Sequence, residues 1–351
     1  MEEITRVLVV DDSAYVRKVI KQILDRSPFV EVVGTAKDGE EALEMVERLK
    51  PDVVTLDLIM PNVDGFEFLR AQMARRPVPV VVVSIAHEGG EQALAALDAG
   101  AVDFLQKLTA LATEKIFDIA DELISKVKAA SKVPLNRIKP KDDRAIAPPV
   151  PLVSKSRQDI RVDLVAIGIS TGGPQALSYL IPSLSADFPV PVAIVLHMPV
   201  GYTELYARRL NQLSQLEVLE AKEGAVVRSG LVLLAPAGQH MTFVRLSGGK
   251  VVTHLSARPF DTLHRPAADV MFQSAAQVWG DKVLGVVMTG MGSDGKQGAA
   301  WIKSQGGMIL TEAESSCIVY GMPRSVVEAG LSDKVVPLDQ MAEAINYYCR
   351  G

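Results

Sequence analysis

The sequence predicts an α/β protein with two domains, each built on a doubly wound parallel sheet. Short apolar runs alternate with segments of helical period along most of the 351 residues, as in successive β-α units. One proline-rich basic stretch interrupts the alternation. Hydrophobic residues make up 48% of the chain and aromatic residues 5%, which suits buried parallel strands rich in Val, Ile, Leu and Ala. The length allows two domains that each bury a core.

The first domain is predicted to span residues 1–130. Its predicted strands are residues 6–10, 30–35, 53–56, 80–85 and 103–106, and its predicted helices are residues 14–26, 39–49, 65–75, 89–99 and 112–130. Most of the strands are short runs rich in Val, Ile and Leu, and the helices carry apolar residues at helical spacing. Strict alternation of this kind predicts a parallel sheet whose strands end at one common edge.

Residues 131–161 break the alternation. They contain five prolines and eight Lys or Arg residues against three Asp, which gives a net charge of +5, and they show no sustained periodicity. Proline-rich segments act as semi-rigid spacers, so we interpret this stretch as a linker. The alternative is an irregular loop inside a single domain, which the length of the stretch disfavours.

The alternation resumes in a second domain at residues 162–351. Strands are predicted at residues 162–168, 190–197, 231–235, 283–289 and 308–311, and helices at residues 175–184, 203–213, 266–279, 295–304, 323–328 and 338–349. Residues 241–246 and 250–255 flank Gly248-Gly249 and predict a β-hairpin inserted into the α/β layers.

Composition limits the possible partners and the compartment. A net charge of −5 argues against nucleic-acid binding, which favours a basic domain. Cys317 and Cys349 are too few for a disulfide framework and indicate a reducing compartment. The first residues lack the apolar core of a secretory signal, and no apolar run reaches the roughly 20 residues of a spanning helix. We expect a soluble, cytoplasmic monomer without membrane insertion.

Charged and polar residues lie where strands of the first domain end. Asp11 and Asp12 follow the first strand, Asp57 follows the third, Ser84 ends the fourth and Lys107 follows the fifth. Ligands of doubly wound sheets bind at this edge. Three carboxylates repel one another there unless a cation such as Mg²⁺ lies among them. Asp57 is expected to be the nucleophile that forms an aspartyl phosphate, with Ser84 and Lys107 binding the phosphoryl oxygens. Asp12 taken alone could equally be a helix cap.

Three short motifs accompany these residues: Asp57-Leu58-Ile59-Met60-Pro61, Asp64-Gly65 and Ala99-Gly100-Ala101. With them, residues 4–128 resemble the receiver domain of response regulators. The resemblance implies a flavodoxin-like fold, Mg²⁺ bound by Asp11, Asp12 and Asp57, phosphorylation of Asp57 by a histidine kinase, and switch roles for Ser84, Phe104 and Lys107. Leu108 departs from the family, which has proline at this position, so a cis peptide bond is not expected there.

The first strand of the second domain runs directly into Gly168-Ile169-Ser170-Thr171-Gly172-Gly173. A glycine-flanked serine between a strand and a helix presents its hydroxyl at the top of the sheet. The rival interpretation is a phosphate-binding turn, which predicts an acidic residue at the end of the next strand. That strand ends in His197, a potential general base, so the sequence favours catalysis.

Among the histidines, His197 alone ends the strand that follows the serine strand, unlike His87, His240, His254 and His264. A structural histidine remains the alternative. The group that orients its imidazole is expected to be Asp294, after the strand at residues 283–289, although Asp294 could instead cap the next helix. Glycines surround Met291 in the same loop. They leave backbone N–H groups available for an oxyanion, each worth about 3–4 kcal/mol.

The chain order Ser, His, Asp excludes the α/β-hydrolase fold, which runs Ser, Asp, His. Five stretches of the second domain carry a family resemblance: residues 168–174, His197-Met198-Pro199, His264-Arg265-Pro266, residues 288–295 and Tyr320-Gly321-Met322-Pro323. In these stretches the domain resembles the catalytic domain of the chemotaxis protein-glutamate methylesterase. The resemblance implies a triad of Ser170, His197 and Asp294 that needs no cofactor, with the Met291 amide in the oxyanion hole. The implied substrates are glutamyl methyl esters on methylated chemoreceptors, which release methanol, and some receptor glutamines.

Two other classes of function fit the sequence less well. A DNA-binding output domain requires a basic helix-turn-helix, whereas the second domain alternates strands and helices. A non-catalytic scaffold leaves Ser170, His197 and Asp294 at three strand ends unexplained.

A receiver ahead of an esterase further predicts control of the esterase by phosphorylation. The linker would let the receiver dock over the Ser170 face, and an aspartyl phosphate at Asp57 would favour the open state.

Overall fold

A computed structural model describes residues 3–84, 90–107, 115–135 and 161–350, apart from the side chains of Ser84 and residues 115–118. The chain divides into two compact units, residues 1–145 and 146–351. Each unit contains its own parallel sheet with alternating helices, which confirms the predicted fold class. Most of the predicted linker, residues 136–160, lies outside the described residues, so the linker and its boundaries stay a prediction.

The first unit contains a five-stranded parallel sheet in the order β2-β1-β3-β4-β5. Its elements are β1 Thr5–Val10, α1 Ala14–Leu24, β2 Val30–Ala36, α2 Gly39–Leu49, β3 Val53–Leu56, α3 Gly65–Arg75, β4 Val80–Ser84, α4 Gly90–Asp98, β5 Asp103–Gln106 and α5 Lys115–Ala130. This strand order is that of the flavodoxin-like fold. The predicted elements are all present, and residues 85, 89 and 112–114 of three of them lie outside the described residues.

The chain reverses direction in the sheet between β1 and β3. From β1 it crosses to β2 on one side and then returns to β3 on the other, which opens a crevice at the carboxyl ends of β1 and β3. The strands β1 and β3 are buried over nearly their whole length, and their sequences are accordingly mostly apolar. Gly65 begins α3 against the loop after β3, where a Cβ atom would lie 2.0 Å from the carbonyl oxygen of Asp57.

The second unit contains a seven-stranded parallel sheet in the order β14-β13-β12-β6-β7-β9-β8. Its strands are β6 Leu164–Ile169, β7 Val192–Leu196, β8 Glu217–Glu220, β9 Leu231–Leu234, β12 Val283–Val287, β13 Met308–Glu312 and β14 Lys334–Val336. Its helices are α6 Gly173–Leu180, α7 Thr203–Leu213, α8 Ala268–Trp279, α9 Lys296–Ser304, α10 Met322–Glu328 and α11 Leu338–Cys349. The reversal lies at β6, which pairs with β7 on one side and β12 on the other.

Two strands of this sheet were missed by the sequence analysis. The strands β8 and β14 are the edge strands, each pairing on one side only, and they are short and carry charged residues. Short, charged edge strands avoid pairing with other chains, and for the same reason they lack the apolar run that identifies a central strand.

The predicted hairpin is present as β10 His240–Arg245 and β11 Val251–Ser256, paired antiparallel. It packs against α8: the Phe243 amide donates a 2.8 Å hydrogen bond to Ser274, and the Phe243 ring meets the Trp279 ring edge-on. The helix α8 therefore lies between the hairpin and β6, with which it also packs. Within the described residues, no helix is both long and apolar enough to cross a membrane.

Candidate active site and phosphoacceptor site

The crevice of the first unit gathers three carboxylates and one ammonium group. Asp11 and Asp57 are buried, whereas Asp12 is exposed, and one carboxylate oxygen of each lies within 4.8 Å of the others. Lys107 places its Nζ 2.5 Å from Asp57 Oδ2 and 2.8 Å from Asp11 Oδ2. The four residues follow β1, β3 and β5, so the sheet brings together groups that are distant in sequence.

Burial and charge act in opposite directions on these groups. Burial raises the pKa of Asp57, as does the neighbouring Asp11, and the hydrogen bond and charge of Lys107 only partly offset this. Burial would lower the pKa of Lys107, but its hydrogen bonds to Asp11 and Asp57 and their charges raise it on balance. The Lys107 ammonium is therefore held charged between two carboxylates.

The other predicted residues of this site are placed less completely. The backbone of Ser84 ends β4 and pairs with Gln106, and its side chain lies outside the described residues. Phe104 lies in β5, paired with Val82, and is buried. Leu108 lies outside the described residues, so the effect of the missing proline stays open.

The turn after β6 positions Ser170. Its amide donates a 2.9 Å hydrogen bond to the Thr289 carbonyl just after β12, and its carbonyl accepts one of 2.6 Å from the Gly173 amide. Gly172 has φ +78°, and a Cβ atom there would lie 2.5 Å from Ile318, so both conformation and space require glycine. Ser170 is half-buried at the carboxyl end of β6, the strand at which the strand order of the sheet reverses.

His197 and Asp294 form a hydrogen-bonded pair beside this turn. His197 follows β7, where its amide donates to the Ile169 carbonyl, and its Nε2 lies 2.7 Å from Asp294 Oδ2. Their side chains are 8% and 11% exposed. Within the described part of the chain, His197 Nδ1 is buried without a hydrogen-bond partner, and the Ser170 hydroxyl makes no hydrogen bond to His197. Catalytic hydrogen bonds of this kind are often long in proteins without substrate.

Asp294 is anchored by the start of α8. Its Oδ2 accepts a 2.6 Å hydrogen bond from the Ala268 amide, and its Oδ1 accepts one of 2.9 Å from the Asp269 amide. Burial opposes ionisation, but the hydrogen bonds of His197 and of these two amides outweigh it and lower the pKa of Asp294 to about 2. An ionised carboxylate only accepts hydrogen bonds, so His197 Nε2 carries the proton and Nδ1 carries the lone pair.

The two helices next to Asp294 cap each other. Ala267, at the start of α8, has no capping side chain, and Asp294 takes that role. In return Asp269 Oδ1 accepts a 2.7 Å hydrogen bond from the Gly298 amide in the first turn of α9. Burial and the charge of Asp294 raise the pKa of Asp269 to about 6, against the effect of the Gly298 hydrogen bond. The alternative that Asp294 caps the next helix, α9, is wrong: the N-cap of α9 is Gly295, without a capping side chain, and Asp294 caps the start of α8.

Known proteins match both units of the chain. A family model described as CheB methylesterase matches residues 165–345, and a second, described as response regulator receiver domain, matches residues 7–118. The chain is 49% identical over 352 residues to protein-glutamate methylesterase/protein-glutamine glutaminase 5 of Myxococcus xanthus, covering 98% of each chain. The chain belongs to the CheB methylesterase family.

Other relatives extend this result. The protein-glutamate methylesterase/protein-glutamine glutaminase of Pyrococcus abyssi is 43% identical over 97% of this chain and 92% of its own length. The crystal structure of the Thermotoga maritima CheB methylesterase catalytic domain matches with a TM-score of 0.51 and 39% identity, covering 53% of this chain and 98% of that domain. The chain is therefore a carboxylic ester hydrolase of the chemotaxis methylesterase type that carries a response regulator receiver domain.

Met291 lies in the loop between β12 and α9 of the methylesterase unit. Gly290, just before it, packs on the Ser170 turn, where a Cβ atom would lie 2.8 Å from Ser170 Cβ. In the described part of the chain, the Met291 amide donates no hydrogen bond within the protein. An unpaired amide beside the serine is suited to receive an oxyanion.

The other histidines of the chain differ in burial and in contacts. His254 is exposed and pairs with Glu223, and His87 lies outside the described residues. His264 stacks on His197, a contact that the sequence analysis missed because His264 lies in an irregular stretch. His240 is fully buried at the start of β10.

His240 is bonded through both ring nitrogens. Nδ1 accepts a 3.2 Å hydrogen bond from the Ala267 amide, and Nε2 lies 3.1 Å from the Pro259 carbonyl oxygen, to which it must donate. Burial lowers the pKa of His240, which favours the neutral form of the ring that these two hydrogen bonds require. A ring engaged in this way braces the segment before α8 and is unavailable as a base.

We predict that His240→Ala lowers the free energy of unfolding of the methylesterase unit by about 2–4 kcal/mol, since it leaves a cavity and unpaired backbone groups. Because the folded-state pKa is depressed, the contribution of His240 is present at neutral pH and is lost as the pH falls below the unfolded value of about 6.5. Urea unfolding at several pH values measures both effects, with His254→Ala as the exposed control. A His240→Ala protein of unchanged stability and no esterase activity would make His240, and not His197, the base.

Proposed function

We propose that this chain hydrolyses glutamyl methyl esters of methylated chemoreceptors with a triad of Ser170, His197 and Asp294, and that phosphorylation of Asp57 activates it. The observation that carries the proposal is the 2.7 Å pair of His197 and Asp294 beside the Ser170 turn. The names of the relatives above support the substrate class and add glutamine deamidation. The chain would act in the adaptation of chemotaxis-type signalling.

In the acylation step, Ser170 Oγ attacks the ester carbonyl carbon while His197 Nδ1 accepts the hydroxyl proton. The tetrahedral oxyanion is stabilised by the Met291 amide. The intermediate then collapses, the bond to the methoxy group breaks, and His197 returns the proton to form methanol. Asp294 stays ionised throughout and stabilises the imidazolium that forms.

In the deacylation step, His197 Nδ1 accepts a proton from water, whose oxygen attacks the acyl carbon. Collapse returns the proton to Ser170 Oγ and releases the glutamate carboxylic acid. With a glutamine side chain the same sequence releases ammonia in place of methanol. The proton always moves at Nδ1, because Nε2 stays bonded to Asp294.

The cluster in the receiver unit fits a magnesium ion. Its three carboxylates supply oxygen ligands within 4.8 Å of one another, which suits a small cation that also keeps waters and binds phosphate oxygens. Bound Mg²⁺ would neutralise charge between the carboxylates and the phosphoryl group. Asp57 would attack the phosphorus of a phosphorylated histidine kinase or a small phosphodonor, and the bond from phosphorus to the kinase histidine, or to the leaving group of the phosphodonor, would break. Lys107 would move from Asp57 toward the phosphoryl oxygens, with Ser84 as a second contact.

We predict that Ser170→Ala abolishes hydrolysis of an activated ester, because it removes the nucleophile. His197→Ala should lower kcat at least about 10²-fold, as expected for loss of a general base, and Asp294→Asn nearly as much. Steady-state kinetics on the full-length protein measure these effects. The matched control is Ser183→Ala, an exposed serine in the turn after α6, which should leave the rate unchanged. Full activity in Ser170→Ala would refute the triad.

We also predict that a small phosphodonor with Mg²⁺ adds one phosphoryl group to the chain, detected by intact mass. Asp57→Asn should remove the shift, and Asp12→Ala should reduce it by weakening the metal site. Asp25→Asn, an exposed aspartate at the end of α1, should phosphorylate normally. A shift that persists in Asp57→Asn would relocate the acceptor, with Asp52 and Asp64 the nearest candidates.

A further inference from the structure

The imidazole of His264 lies flat against the imidazole of His197. The two ring centroids are 4.0 Å apart, and the ring planes differ by 25°. The side chain of His197 is only 8% exposed, whereas His264 is exposed. The His264 ring therefore covers one face of the His197 ring.

The segment that carries His264 is fixed on both sides of it. The buried His240 ring bonds to the Pro259 carbonyl before His264 and to the Ala267 amide after it. A third bond, of 3.2 Å, joins His240 Nε2 to the Thr262 hydroxyl. The His264 ring is thus presented by a braced segment.

The same segment leads directly into α8, whose first amides hold Asp294. This stretch of chain therefore acts on His197 in two ways, directly through His264 and indirectly through the α8 amides that hold Asp294. Asp294 fixes its Nε2, and His264 lies on its face. Among the described residues Nδ1 has no hydrogen-bond partner, so it is available for the reaction.

One hydrogen bond at Nε2 does not fully determine the plane of an imidazole. The χ2 torsion of histidine has a broad profile, so the ring can tilt about the line that joins Nε2 to Asp294. A tilt moves Nδ1 and changes the direction of its lone pair. Misplacement of a reacting group by 1 Å can cost about 10²-fold in rate. A stacked aromatic ring restrains this tilt.

We propose that His264 is a positioning residue that fixes the plane of the His197 imidazole by stacking on it. The inference rests on the proposed role of His197 as the general base. It requires the aromatic ring of His264 and neither of its nitrogens. Two rival roles make different demands: a second proton carrier requires a ring nitrogen, and a substrate contact affects KM more than kcat.

The test compares His264→Ala and His264→Phe in the full-length protein, with p-nitrophenyl acetate as the substrate. His264→Ala should lower kcat about tenfold or more and leave KM within about twofold, because Nδ1 is misplaced while the site stays open. His264→Phe keeps a flat ring without nitrogen and should retain at least about half of the wild-type kcat. His254→Ala, an exposed histidine on the hairpin, is the matched control and should match wild type.

Three outcomes would overturn the proposal: a kcat for His264→Ala equal to wild type, a change confined to KM, or a kcat for His264→Phe as low as that of His264→Ala. Thermal unfolding of each variant shows whether it is folded. If His264→Ala is unfolded, the kcat of the folded His264→Phe variant decides. Ser170→Ala in the same assay separates the two claims, because activity that survives this change refutes the proposed triad itself, and with it the role of His264.

Discussion

The carboxylate of Asp294 accepts four hydrogen bonds from three parts of the second unit. They come from His197 after β7, from the Ala268 and Asp269 amides at the start of α8, and from the Gly295 amide in its own loop. A buried charge is tolerated only when its lone pairs are satisfied, and the helix N-terminus adds about 0.3–2 kcal/mol. The position of α8, the path of the loop after β12 and the tautomer of His197 all depend on this one group.

Both units use the same topological rule for different chemistry. In each unit the order in which the chain adds strands to the sheet reverses next to an interior strand, β1 in the first unit and β6 in the second. The loops after neighbouring strands diverge there and leave a crevice. The first crevice gathers carboxylates and an ammonium group, which suit a metal ion and a phosphoryl group. The second gathers a hydroxyl, an imidazole and one carboxylate, which suit acyl transfer. The fold positions these groups, and the residues at the strand ends determine the chemistry.

The sequence was sufficient to place a candidate residue where that residue directly follows an apolar strand. Asp57, Ser170 and His197 are of this kind, because burial of the strand fixes its end and pairing in a parallel sheet brings the ends together. It was insufficient where the partner depends on the path of a loop. The stacking of His264 depends on the buried His240, and Asp294 caps α8, 26 residues earlier in the chain, as well as lying at the start of α9. No local pattern reports such contacts.

The edge strands β8 and β14 were missed for a different reason: both are short, partly exposed and carry charged residues, so their apolar pattern is weak. The predicted alternation was nevertheless sufficient for the fold, because the central strands are buried over their whole length and are therefore apolar runs. The departure from the receiver pattern at Leu108 lies outside the described residues, so its consequence stays a prediction.

The most direct measurement of the central claim is the rate of methanol release from membranes that carry methyl-esterified chemoreceptors. The full-length protein is assayed with Mg²⁺, with and without a small phosphodonor, beside Asp57→Asn and Ser170→Ala. A phosphorylation-controlled methylesterase predicts that the phosphodonor raises the rate of the wild-type protein, that Asp57→Asn keeps a low rate insensitive to the phosphodonor, and that Ser170→Ala releases no methanol. Equal rates with and without phosphodonor in the wild-type protein, or release by Ser170→Ala, would contradict it.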